Sequence, residues 1–172
     1  CHTIEEQPRW ETIEEVCRDC ISQLHQHNVN DCYTGPSQEQ YVPGGSKTCF
    51  WFGVASGQFT TQCADGGVGS VETVTQDELT DPEPTEGGKF KSCVSQEDAN
   101  GKAEAALAEQ GQAIANRKGT CTWNGHYSGQ VQKSNCPDGG VGDNVTVDSS
   151  NMSGHPFPSN VSLADANRQA QE

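Results

Sequence analysis

Nine cysteines are the most chemically capable residues in this chain of 172, and one cluster of them admits three chemistries. Cys17-x-x-Cys20, followed by His25, His27 and Cys32, has the donor types of a zinc centre. A structural zinc site prefers a second paired knuckle at a longer spacing, and none follows. A redox Cys-x-x-Cys needs a preceding strand in a thioredoxin-like βαβ context, and that context is missing too. Disulfides from Cys17, Cys20 and Cys32 to the rest of the chain are the plainer reading. No metal site is assigned.

Two glycine-rich turns are the next candidates, Cys63-Ala-Asp-Gly-Gly-Val-Gly69 and Cys136-Pro-Asp-Gly-Gly-Val-Gly142. A phosphate-binding loop needs Lys-Ser/Thr after its glycines at the mouth of a helix. Here β-branched residues follow instead. A calcium nonapeptide needs Asp two positions after the third Gly, whereas Asp143 follows Gly142 directly and Ser70-Val71 stand in the first case. A structural turn is the stronger reading, with calcium as the alternative and no other cofactor expected. Gly-His-Tyr-Ser-Gly (125–129) is not a nucleophile elbow, because Ser is its fourth residue rather than its third. No catalytic residue is assigned, and an enzyme is not expected.

The composition limits what these residues can be built into. Only 26 residues are Leu, Ile, Val or Phe, and the net charge is −14. Such a balance ordinarily leaves a chain disordered, because too little apolar surface offsets chain entropy. Cross-links change this by constraining the unfolded state, each contributing roughly 2–4 kcal/mol. Cysteine usage at this level fits an oxidising compartment, hence an extracellular or cell-surface location. With 10 basic against 24 acidic residues, a phosphate backbone would be repelled, so nucleic acid is not a partner. No apolar run approaches the roughly 18 residues that span a bilayer.

The chain repeats itself. "TCFWFGVASGQFTTQCADGGVGSVETV" from Thr48 and "TCTWNGHYSGQVQKSNCPDGGVGDNVTV" from Thr120 align Cys49 with Cys121, Trp51 with Trp123 and Gly53 with Gly125. Cys63 aligns with Cys136 after one inserted residue. Further on, "SCVSQEDANGKAEA" (92–105) aligns with "SNVSLADANRQAQE" (159–172). Each copy reads as a β-hairpin turning at Ala55-Ser56-Gly57 or its counterpart, with Gly57 and Gly129 in the left-handed position of a three-residue loop. That geometry predicts the bridges Cys49–Cys63 and Cys121–Cys136, each covered by the Trp two residues on. Gly66, Gly67, Gly139 and Gly140 form the second bend.

Helices separate the hairpins. Ser95 with Asp98 starts one, Ala99, Ala103, Ala106, Leu107 and Ile114 share its face, and Gly119 ends it. "DELTDPEPTEGG" (77–88) reads as an exposed acidic spacer. In the N-terminal region, Ile13, Val16, Cys17, Cys20, Ile21 and Leu24 follow helical spacing, with Thr12 and Glu15 as a capping box. The expected organisation is therefore α+β: disulfide-clamped β-hairpin modules alternating with short α-helices in a repeat array. Residues 1–48 would be an N-terminal helix and connector, 49–120 a first repeat, and 121–172 an incomplete second repeat.

Residues 49–172 resemble an uncharacterised Cys/Gly repeat domain of large secreted and surface proteins of Bacteroidota. The resemblance is carried by Cys63 with Asp65-Gly66-Gly67, Ser95 with Asp98-Ala99, and Gly111-Gln112-Ala113, Ala115-Asn116, Gly119 and Cys121. It implies an extracellular or cell-surface role and brings no catalytic residues. Residues 1–48 fall outside it.

An odd number of cysteines leaves at least one thiol over. With the hairpin bridges formed, Cys1, Cys17, Cys20, Cys32 and Cys93 remain, and Cys1 is the candidate for a lipid anchor or an interchain bond. Asn144, Asn151 and Asn160 open Asn-x-Ser/Thr triplets, glycosylation acceptors in a eukaryotic secretory protein. The function expected is structural or adhesive, as the self-associating subunit of a surface filament or fibre assembling head to tail. The alternative is a secreted glycan- or protein-binding module without catalytic activity.

Overall fold

The computed structural model describes residues 1–2 and 6–172. In chain order the strands are β1 (Trp10–Arg18), β2 (Ile21–Asn28), β3 (Glu39–Pro43), β4 (Ser56–Thr60), β5 (Val68–Gly69) and β6 (Val71–Thr75). The helix α1 (Gln96–Lys118) follows, then β7 (Cys121–Asn124), β8 (Ser128–Gln132), β9 (Asn144–Asp148), β10 (Pro158–Ser159) and the helix α2 (Leu163–Gln171). The fold class is α+β, with small antiparallel sheets and four disulfides. No described helix is long and apolar enough to cross a membrane. The chain divides into one compact unit of 1–56 and 75–109 and another of 57–74 and 110–172.

In the first unit, the N-terminal segment is a three-stranded antiparallel sheet in the order β1-β2-β3, not the expected helix. Asp19 and Cys20 sit at φ 51° and 63° between β1 and β2, so both central residues of the hairpin turn are left-handed, the geometry that matches strand twist. The apolar residues that fit a helical stripe are in fact split across this turn, and their β-branched members Ile13, Val16 and Ile21 suit strands. His25 on β2 meets Glu14 of β1 at 3.2 Å and Glu39 of β3 at 3.4 Å. It also stacks on Tyr41 with ring centroids 4.5 Å apart, and the Arg18 guanidinium covers Tyr41 at 4.2 Å. Glu14 and Tyr41 lie directly opposite His25 on its two neighbouring strands, the pairs that stabilise a sheet face.

Three cystines hold this unit: Cys1–Cys32, Cys17–Cys49 and Cys20–Cys93. They account for all three cysteines of the Cys17–Cys32 cluster. They also correct two expectations. Cys49 bonds Cys17 rather than Cys63, and Cys1 is an intrachain half-cystine whose sulfur is not available to a lipid or another chain. The apolar interior is thin, consisting of Cys49, Ala55, Leu79, Phe90, Ala99, Ala103 and Ala106, which is why cross-links matter here.

Ser95 caps α1 as its pattern predicts, its hydroxyl accepting from the Asp98 amide at 3.0 Å. Glu97 and Asp98 lie in the first turn, and Arg117 and Lys118 in the last, the charge order that complements the helix dipole. Small residues on its buried face let backbone approach closely. A Cβ on Gly53 would lie 2.2 Å from the Ala99 carbonyl oxygen. In the second unit Gly111 lies against the Phe59 ring in the same way, and Ile114 and Ala115 are buried.

The second unit carries the hairpins, in a different register from the one expected. β4 pairs with β6, and β8 with β9. The segments beginning at Cys49 and Cys121 do not fold back on the hairpin strands that follow them. Trp51 pairs instead with Ser92 in an isolated bridge, and β7 pairs with β10 and with β5. Gly57 and Gly129 therefore lie inside β4 and β8 and not in turns. Gly66 and Gly139, at φ 71° and 73°, do form the bends assigned to them. Because β7 lies beside β5, Cys121 meets Cys63 and not Cys136. Cys136 is the free cysteine among the described residues.

Candidate functional site

The first Gly-rich turn, read from the sequence as a structural bend, is in the structure one half of a joint between the two copies. It begins with Ala64-Asp65-Gly66-Gly67. Asp65 and Gly66 take left-handed backbone, and the Gly67 amide donates to the Ala64 carbonyl at 3.1 Å, closing the turn. The chain leaves as β5, whose Val68 and Gly69 pair with Thr122 and Cys121 of β7. The Ser70 amide extends this ladder by donating to the Thr120 carbonyl at 2.9 Å, and the Ser70 hydroxyl accepts from the Thr120 amide at 2.9 Å.

Two side chains of β7 complete the joint. Cys121 and Trp123 are two residues apart, hence on one strand face. Cys121 forms the cystine with Cys63, Cα–Cα 5.8 Å. The Trp123 indole N–H donates to the Ala64 carbonyl at 2.8 Å. The ring sits where a side chain on Gly67 would be, since a Cβ there would lie 2.6 Å from the indole nitrogen. A covalent bond, a strand pairing and a seated indole thus engage the same short Thr-Cys-x-Trp segment. Trp123, expected over a cystine of its own copy, is seated instead on the turn of the preceding copy.

The two copies match contact for contact elsewhere. The Gly53 amide donates to the Phe90 carbonyl at 3.2 Å, and the Gly125 amide to Phe157 at 3.0 Å. The Val54 amide donates to Asn100 Oδ1 at 3.0 Å, and the His126 amide to Asn167 Oδ1 at 2.9 Å. Ser92 donates to Asp98 at 2.6 Å and Ser159 to Asp165 at 2.7 Å. Phe90 and Phe157 share left-handed backbone, φ 57° and 53°. The aligned Gly, Asn, Ser and Asp residues are therefore alike because they make the same bonds.

Titrating groups follow this framework. Asp165 is held down to about 2, first by the Ser159 hydroxyl, then by Arg168 and Gln169. Asp148 is held below its ordinary value, first by the Ser150 hydroxyl and amide, with His126 adding at 3.2 Å. The Ser150 hydroxyl donates to this carboxylate and not to the imidazole, so the trio lacks the hydroxyl–imidazole bond that makes a nucleophile. Among the described residues, no group of three or more His, Cys, Asp or Glu side chains is gathered to hold a metal ion. Of the three Asn-x-Ser/Thr acceptors, Asn144, Asn151 and Asn160 are all exposed, and Asn160 accepts from the Thr122 hydroxyl at 2.9 Å.

No curated protein and no solved structure matches the chain. One family model does, twice in succession, over residues 53–122 and 123–172. The first match runs through Cys121, the residue that closes the joint from the following copy. With more than half of its residues matched, the chain belongs to the family of unknown function DUF5977.

Proposed function

We propose that this protein is an extracellular structural repeat protein, a building element of a surface filament or fibre rather than a catalyst. The observation that carries the reading is the Cys63–Cys121 joint. There the polar contacts and apolar contacts of two successive copies converge on a turn and a strand that both copies possess. A turn at one end of a copy and a matching strand at the start of the next make a heterologous, head-to-tail contact. Such contacts propagate into an array when they do not close on themselves. The interiors are small-residue and polar, so stability comes from cystines, and an oxidising extracellular location supplies them.

Binding arrays and limited proteolysis test this together. A structural role predicts protease resistance that is lost on reduction and no saturable binding on glycan or surface-protein arrays. Saturable binding of one ligand by a monodisperse chain would overturn the reading in favour of a secreted binding module.

A further inference from the structure

The second copy repeats the turn of the joint, and among the described residues no strand is paired to it. Asp138 and Gly139 take the same left-handed backbone as Asp65 and Gly66, φ 55° and 73°. The Gly140 amide donates to the Pro137 carbonyl at 3.2 Å, as Gly67 does to Ala64. The places occupied in the first copy are open in the second. Cys136, the counterpart of Cys63, is a free thiol and only partly buried. A Cβ on Gly140 would meet nothing nearer than 3.4 Å, where the indole stands over Gly67. Val141 is 86% exposed on what would be the β5-like edge.

We infer that the face formed by Cys136, Pro137, Gly140, Val141 and Gly142 is a binding site for the Thr-Cys-x-Trp strand of a further repeat. Its cysteine bonds Cys136, its Trp sits on Gly140 and donates to the Pro137 carbonyl, and its backbone pairs with Val141-Gly142. The occupant is named by the twin joint, where each of these positions is filled by residues 120–123. An identical second chain does not offer such a strand, because its Cys49 is bonded to Cys17 and its Cys121 to Cys63. The strand must carry a cysteine not yet committed to a partner in its own repeat.

The bond can form by exchange. The Cys136 thiolate attacks the sulfur of an arriving cysteine that is held as a disulfide with a small thiol. The new S–S bond forms as the old one breaks, and the electron pair leaves with the displaced thiolate, which takes up a proton from water. No further oxidant is needed. Docking of the Trp and the strand edge before exchange raises the local concentration of the two sulfurs, as in any tethered reaction.

This inference rests on the head-to-tail reading above, and its test separates the two. The probe is a synthetic peptide with the sequence of residues 117–126, its cysteine held as a glutathione disulfide, mixed with the intact chain. Intact-mass spectrometry and peptide mapping follow the adduct. The expected result is an adduct at Cys136 that forms at least about 10-fold faster than with the same peptide carrying Trp123→Ala, as docking-assisted exchange requires. Gly140→Leu in the protein, which fills the indole's seat at a residue with φ −61°, should slow the first peptide to the rate of the second. Equal rates for the two peptides would show an exposed thiol and nothing more, and would overturn the site. A faster Trp peptide unaffected by Gly140→Leu would overturn the placement of the indole. The peptide comparison needs no protein variant, so it decides the matter even if Gly140→Leu does not fold. Equal rates would leave the structural reading standing on Cys63–Cys121, whereas saturable ligand binding on arrays would remove that reading and leave these rates untouched.

Discussion

Replacing both Cys63 and Cys121 by Ser removes the covalent part of the joint, and the loop it closes sets the cost. The two residues are 58 apart in sequence. No other cystine shortens that loop, because the route through Cys20–Cys93 is longer. Chain entropy for a loop of this length corresponds to about 4 kcal/mol at 25 °C. With a urea slope near 2 kcal/mol per molar, the midpoint for the unit formed by 57–74 and 110–172 should fall by about 2 M. The assay is urea unfolding read by amide exchange on peptides from those residues, under non-reducing conditions. Cys136→Ser, which removes a thiol without a partner, should stay within about 0.5 kcal/mol of the parent. A loss below about 1 kcal/mol for the double variant, on the loop-entropy scale, would refute the reasoning. So would a Cys136→Ser effect as large as that of the double variant, since it would mean Cys121 pairs within its own hairpin.

Other expectations can be checked on the same footing. Gly67→Ala should cost about 1–3 kcal/mol by pushing out the Trp123 indole, while Gly140→Ala should be close to neutral, both read by thermal unfolding. Gly101→Ala should raise stability by about 0.5–1 kcal/mol, because a Cβ at this exposed helical position meets nothing within 4 Å and alanine loses less backbone freedom. Gly125→Ala should be severely destabilising, since its Cβ would lie 1.9 Å from the Ala166 carbonyl oxygen. Asp165, depressed to about 2, favours the folded state wherever it is ionised. Its contribution is fully present above its ordinary value of 3.8 and is lost as pH falls through about 2. An NMR titration should find that value, and Ser159→Ala should move it back up toward 3.8.

Local signals were legible where bonds are local. Ser95, Asp98 and the alanine spacing placed α1 because cap and buried face lie within the helix itself. Asp65-Gly66 and Asp138-Gly139 read as bends because left-handed backbone favours these residue types. The N-terminal sheet was hidden because Ile13, Val16, Cys17, Ile21 and Leu24 match helical spacing while the turn at Asp19-Cys20 lacks the usual glycine. The cystine partners were hidden for a different reason. A hairpin centred on Ser56 makes Cys49 and Cys63 look opposed, but Trp51 pairs with Ser92, and β4 waits for β6. Only the repeat offered a non-local clue, since a Cys that starts each copy and another that follows its hairpin can pair from one copy to the next. The joint itself, with Trp123 seated on Gly67, required knowing which strand lies beside β5.

The cystine between Cys63 and Cys121 also governs how the chain responds to being pulled. The residues between them are bypassed by one covalent bond and carry no load while it is intact. Cys20–Cys93 bridges part of the same stretch, so breaking Cys63–Cys121 alone can release at most the residues beyond Cys93, 121 − 93 = 28 of them, about 95 Å when fully extended. Reduction would release that length at once, so the bond acts as a limit on extension, and a reductant changes the reach of the chain as well as its stability.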